Sequence, residues 1–305
     1  MTLHPFEGLE PRGKSPATVR AIETWIQQAE QKVGVGSRRL GWLVATSVLI
    51  SALQRVAHTD GEPRFLIKGG AYLELRLGLR ARATRDLDTL FRGHFDDFID
   101  SLDLALEEPF EGITFRRTEP REIEVTGRRV KPLRLDIMLG LRGRTWRRIT
   151  LEAAPDEGSA GARVERFPSL SLVHFGLSMP PTTAGLAIDY QVAQKLHACT
   201  DPHTSEHPND RVRDIVDLHL LKMAFYEREL APQSLKAACR DLFNARAVQI
   251  EAARGTGRPG WPPLVVGYEH WNADYTTYAN EVGLQLSLAK AVEILNRWVE
   301  KIENA

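Results

Sequence analysis

Cysteine is scarce in this sequence: Cys199 and Cys239 are the only two in 305 residues. Two thiols supply no disulfide framework, so the fold must rest on a packed core, and the expected setting is a reducing cytoplasm. Long apolar runs are missing too. The best candidate, Trp42 to Val56, is interrupted by Thr46, Ser47, Ser51, Gln54 and Arg55. It falls short of the roughly 20 apolar residues of a membrane span, so a core helix and no membrane partner are expected. Residues 1–14 carry Pro, Glu and Gly where a secretory leader has its apolar stretch, so none is expected. Excess charge of either sign is lacking, since 40 basic residues balance 40 acidic ones; the global charge does not announce a nucleic-acid binder. No Gly-x-Ser-x-Gly elbow occurs, which leaves serine-esterase chemistry without support.

A hydrophobic fraction of 43% with 26% charged residues is that of a globular chain, and the length favours two domains over one. Apolar spacing predicts helices over Ala17–Lys32 and Arg38–His58, a strand at Phe65-Leu-Ile and a helix over Ala71–Leu79. A strand follows over Asp86–Phe91, then an acidic amphipathic helix over Phe95–Leu106. Alternation predicts strands at Glu122–Val125, Lys131–Leu139 and Trp146–Glu152, then a loop over Pro155–Ala162. Near Met179-Pro-Pro181 the pattern changes. Helices are expected over Tyr190–Thr200, Arg211–Glu229, Gln233–Ala247 and Gln285–Glu303, with a Gly/Pro-rich loop over Arg254–Pro263. The class is therefore α+β: an α/β domain with a mixed sheet over residues 1–179, and a helical domain over 180–305 contributing to the cleft.

Charge is uneven locally. The stretch from Arg116 to Arg148 is rich in arginine, including Arg128, Arg129, Arg134 and Arg147, and can track a phosphate backbone or simply face solvent.

The chemistry concentrates in two short segments. Asp86 and Asp88 are two apart, so on a strand both leave one face about 6.7 Å apart while Leu87 points inward. Carboxylates that close repel unless protonated or bridged by cations, and paired divalent ions roughly 3.5–4 Å apart can activate a hydroxyl and stabilise a leaving pyrophosphate. Asp136, in Leu133-Arg-Leu-Asp-Ile-Met-Leu139, sits in another alternating strand and offers a third carboxylate. Gly69-Gly70 follows a strand and opens a helix, a place where N–H groups and the positive helix end converge on an anion. Lys68 precedes the pair, and Thr84 lies two residues before Asp86; both join the nucleotide-binding set. His203-Thr-Ser-Glu-His207 has zinc-finger spacing but no accompanying cysteine pair, and reads as a solvated loop. His197 is expected to pack or bond locally.

Lys68-Gly-Gly-Ala-Tyr-Leu-Glu-Leu-Arg76 with Thr84-Arg-Asp-Leu-Asp88 resembles the nucleotidyltransferase signature of the AbiEii toxin family, within the DNA polymerase β-like superfamily. Tyr190-Gln-Val-Ala-Gln-Lys-Leu-His-Ala198 resembles the family's lysine-bearing helix, and Arg213-Asp-Ile-Val-Asp-Leu218 its acidic helix. The Trp-Pro-Pro at Trp261 is similar to that of the MenT-type members. The resemblance implies a polymerase β-like nucleotidyltransferase fold and transfer of nucleotides from an NTP to the 3′ end of tRNA, which blocks aminoacylation and translation. It also implies a cognate antitoxin and Mg²⁺ as cofactor, with Mn²⁺ the alternative ion. Carried over by position, Asp86 and Asp88 hold metal, Lys195 binds triphosphate, and Asp217 supports the site, with Asp214 and Arg213 in the same block. In this reading Asp217 orients Lys195, and Arg213 pairs with Asp217 at i, i+4. Two departures stand out: Gly70 occupies a position where many of these enzymes have serine, and the Gly70–Asp86 spacing is long.

Overall fold

The computed structural model describes residues 5–124, 130–202, 208–254 and 260–305. Two compact units result. The first takes in the described residues within 1–125, 130–156 and 164–185; the second, those within 157–163 and 186–305. The His203–His207 segment, Arg128 and Arg129 lie outside the described residues.

The first unit opens with α1 (Val19–Val33) and α2 (Ser37–Leu53), then β1 (Phe65–Lys68), α3 (Gly69–Leu77), β2 (Asp86–Phe91) and α4 (Phe98–Glu107). It continues with β3 (Ile113–Arg117), β4 (Arg121–Glu122), β5 (Leu133–Leu141), β6 (Arg144–Pro155), β7 (Val164–Pro168) and β8 (Thr182–Leu186). One sheet runs β3-β5-β6-β2-β1-β8-β7, with β4 beside β5. It is mixed: β2 is antiparallel to β1 and parallel to β6, β8 is parallel to β1, and β5 and β6 are antiparallel. Thr18 caps α1 by accepting from the Ala21 N–H, and Gly34 closes it in the left-handed conformation. Residues of α2 are buried almost throughout, from Leu40 and Leu43 to Ala52 and Leu53, which makes it the core helix its sequence predicts. Among the described residues no helix is long and apolar enough to cross a membrane.

Helix α2 stops at Leu53 rather than His58. The amide of Gln54 instead pairs with the backbone of Ala184, donating Nε2–H to its carbonyl at 2.6 Å and accepting its N–H at 2.9 Å. A tertiary contact thus replaces the next helical turn. The strand expected from Glu122 is only Arg121–Glu122, and Phe95–Asp97 forms a 3₁₀ turn ahead of α4. Strands β3, β7 and β8 were not legible; β8 is Thr-Thr-Ala-Gly-Leu, of weak strand propensity, and it exists because β1 lies beside it.

The second unit is helical: α5 (Ile188–Cys199), α6 (Val212–Phe225), α7 (Pro232–Arg254), α8 (Asn272–Glu281) and α9 (Leu288–Glu303). Helix α5 packs on α6 and α7, and His219 of α6 bonds the Ala291 carbonyl of α9 at 3.1 Å. Cys199 and Cys239 are both buried free thiols, and burial pushes both thiols up. Helix α8 escaped prediction because its Asn-Ala-Asp-Tyr-Thr-Thr-Tyr run has little apolar periodicity; only Tyr275 and Ala279 are buried. The α+β expectation, a mixed sheet followed by helices, agrees with this architecture.

Candidate active site

Strand β1 arrives extended at Lys68, and Gly69 turns the chain into α3 with φ +64°, in the left-handed region. Glycine is required there twice over. The conformation disfavours a side chain, and a Cβ on Gly69 would overlap the Asp88 carboxylate. At Gly70 a Cβ would lie 2.7 Å from Thr84 Oγ1. The two glycines are therefore the spaces into which Asp88 and Thr84 fit. The Thr84 hydroxyl also approaches the Asp86 carbonyl at 3.4 Å.

On β2, Leu87 is fully buried between half-buried Asp86 and Asp88, so both carboxylates leave one face. The register extends this face across four strands. Asp88 is level with Lys68 on one side and Glu152 on the other, and Glu152 with Arg134; Asp86 is level with Thr150, and Thr150 with Asp136. Arg134 donates Nε–H to Glu152 at 2.8 Å. Its guanidinium is held above its ordinary range first by Glu152, with the charges of Asp86 and Asp88 adding.

Glu152 is the acid that sequence reasoning missed. It alternates with Arg148 and Thr150 on β6, but nothing in the spacing says that β6 lies against β2. Asp136 is placed one strand further out, about 10 Å from Asp86 by strand spacing. There it accepts from Thr150 Oγ1 at 2.9 Å and pairs with Arg148 at 3.3 Å.

Among the described residues no three His, Cys, Asp or Glu side chains converge as a metal cage. Two carboxylates on one face nonetheless suit Mg²⁺, which is commonly held by one or two carboxylates plus substrate phosphates and keeps several waters. The donor set fits an ion carried with the substrate.

Glu74 supports this region from below. It is buried on α3, where Arg39 of α2 donates to it at 2.7 Å and also to the Ala81 carbonyl at 2.5 Å. Burial pushes the Glu74 carboxyl up to about 7, against the opposing pull of Arg39 and the Thr84 N–H. Folded Glu74 therefore keeps its proton where the unfolded side chain, at 4.5, has lost it. The stability carried by that proton is present below about 4.5 and is lost as pH rises to about 7. Urea unfolding across that window should show the wild-type protein losing on the order of 3 kcal/mol that Glu74→Gln does not lose. An equal loss in both proteins would place the titration elsewhere.

In the second unit, Lys195 of α5 is buried and donates to Asp214 Oδ1 at 2.8 Å and to Asp217 Oδ2 at 2.7 Å. Helical spacing leaves this lysine at the border of the apolar stripe Val192, Leu196 and Cys199; the structure buries it between two carboxylates one helical turn apart. The expected Arg213–Asp217 pair does not form. Arg213 is exposed, with its guanidinium 5.0 Å from the ring of Tyr278, while fully buried Asp217 bonds Lys195 of α5. His197 packs against Phe243 with ring centroids 4.8 Å apart and the rings tilted at 59°, 3.2 Å from Asp201, a local role as expected.

Among solved structures, the chain is similar to MenT4, a nucleotidyltransferase toxin from Mycobacterium tuberculosis. The identity is 17% and the TM-score 0.53, with 94% of this chain and 98% of that chain covered. A likeness at that identity speaks for the fold. No curated protein matches. The family model that matches, over residues 51–298, is that of the nucleotidyl transferase AbiEii toxin of type IV toxin–antitoxin systems.

Proposed function

The chain belongs to the AbiEii nucleotidyl transferase toxin family of type IV toxin–antitoxin systems, and from that premise we propose that it transfers nucleotides from an NTP to the 3′-hydroxyl of tRNA. The modified end no longer accepts an amino acid, and translation stops. The observation that carries this reading is the fit of Asp88 over Gly69, which sets a carboxylate against the mouth of a helix. A phosphate chain at that turn meets the α3 N-terminus and lies beside both acids of β2.

Asp86 and Asp88 would hold Mg²⁺, or Mn²⁺ in its place. When bound, the ion offsets triphosphate charge and favours the ionised form of the attacking hydroxyl. The acceptor oxygen forms a bond to the α-phosphorus as the bond to pyrophosphate breaks. Gly69 and Gly70 admit the phosphates closely because no Cβ stands between them and the backbone. Lys68 and Thr84 flank that turn, and Arg134 with Glu152 fixes the charge balance beside the acids. Lys195 is the proposed triphosphate cation, with Asp214 and Asp217 holding its ammonium, and exposed Arg213 adds a further cation for phosphate. Catalysis is positioning and charge stabilisation rather than covalent chemistry. Type IV systems imply an antitoxin partner, and the proposed place of action is the cytoplasm.

The test is incubation of the purified chain with Mg²⁺, each α-labelled NTP in turn, and either bulk tRNA or total protein. Label on tRNA with release of pyrophosphate is the expected result. Label on protein instead would make the acceptor a protein hydroxyl, and NTP binding without pyrophosphate release would make the chain a nucleotide-binding regulator.

A further inference from the structure

Strand β6 begins at Arg144 but pairs with β2 only from Thr150 onward, where Asp86 starts the shared register. Just before that point, a groove of about 440 Å³ opens between β6 and the first turns of α2. Ser37, Arg38, Trp42, Arg147, Arg148 and Ile149 line it, and no carboxylate belongs to the lining. Trp42 donates its indole N–H to the carbonyl of Arg85 at 3.3 Å, which ties one wall to the residue before Asp86. Arg147 is anchored by Glu23 at 2.7 Å and lies across Gly41, where a Cβ would meet its Nη2 at 2.6 Å. Arg148 is 70% exposed and shares the sheet face of Asp86.

The sheet order sets this groove and the glycine turn on opposite flanks of β2: β1 on one side, β6 on the other. In-line transfer needs the attacking and leaving oxygens on opposite sides of the phosphorus. With the NTP at the glycine turn, the acceptor must come from the β6 side. Resting on the reading of this chain as an RNA-directed nucleotidyltransferase, we propose that the groove seats the unpaired 3′ end of the acceptor RNA. Trp42 stacks on a base, and Arg38 and Arg148 take backbone phosphates. A stacking ring and guanidiniums suit a single strand, whose bases are free to splay, rather than a duplex. The exposed Arg148–Asp136 pair costs little to exchange for a phosphate.

The experiment measures binding of a short fluorescein-labelled single-stranded RNA by anisotropy, alongside steady-state transfer from NTP to bulk tRNA. Trp42→Ala should weaken RNA binding roughly 5- to 150-fold, the range for loss of one base–aromatic stack. Trp42→Phe, which keeps a ring but loses the bond to Arg85, should retain most of it. Replacing both Arg38 and Arg148 with alanine should reduce the slope of log affinity against log salt by about 0.7 for each phosphate that is no longer neutralised. In Trp42→Ala and the double arginine variant the KM for RNA should carry the change and the KM for NTP should stay put, a split that a general loss of fold would not produce. Wild-type protein that labels tRNA while Trp42→Ala and the double arginine variant bind and react unchanged would remove the groove and leave the transferase reading standing. Wild-type protein that labels protein and never RNA would bring down both.

Discussion

Replacing Asp88 with asparagine is expected to lower nucleotide transfer at least about 10²–10³-fold, the scale lost when one preorganised charge-stabilising group is removed from a reacting centre. Asparagine keeps the volume that fills the space over Gly69 and removes only the charge. Asp88 is half-buried at a strand position level with Lys68 and Glu152. Neutralising it relieves repulsion from Asp86 and Glu152 on the same face, so the melting temperature should stay within a few degrees of wild type or rise. Asp88→Ala should lose transfer as completely, and alanine at the neighbouring Leu87 should instead unfold the unit, since that side chain is fully buried. Pyrophosphate release from labelled NTP, measured beside thermal unfolding, separates the two effects. An Asp88→Asn enzyme of wild-type rate would remove these carboxylates from the chemistry.

Replacing Lys195 with methionine is expected to destabilise the second unit by about 3–5 kcal/mol and to abolish transfer. The cost arises because Asp217 is fully buried and Asp214 nearly so, and each loses the ammonium that it holds at 2.7–2.8 Å. A triple variant, Lys195→Met with Asp214→Asn and Asp217→Asn, distinguishes structure from chemistry. With no buried charge left unpaired it should recover most of the stability, while transfer stays lost because the Lys195 ammonium is gone. Urea midpoints of the single and triple variants, read with the transfer assay, check both halves. An active triple variant would leave Lys195 a purely structural residue.

The secondary-structure pattern around the candidate site was legible because local rules govern it. The Asp-x-Asp alternation put both acids on one face of β2 and Leu87 inside. Gly69-Gly70 between a strand and a helix announced a turn where backbone N–H groups can meet an anion; that Asp88 and Thr84 fill the space over them came only from the fold. The burial of Lys195 was not legible, because its stripe of Val192, Leu196 and Cys199 is complete without it. Only the approach of α6 converts that border position into a buried one. Arg213 was misread for a related reason: i, i+4 spacing permits a pair with Asp217, but Asp217 turns toward α5 and Arg213 finds Tyr278.

By itself, the sequence determined the α+β class, the glycine turn, the paired carboxylates and the lysine and acidic helices. Each is written in runs of a dozen residues or fewer, where backbone period and steric permission act. Tertiary structure decided that Glu152 rather than Asp136 stands beside Asp88. It decided that Arg134 and Arg148 each meet an acid on that face, and that Trp42 and Arg148 line one groove although more than 100 positions separate them in the chain. The reason is strand order. Side-chain alternation tells which face a residue takes, but neighbours across a sheet come from hydrogen-bonded pairing between segments far apart in the chain, and no local period encodes which strand lies next to which.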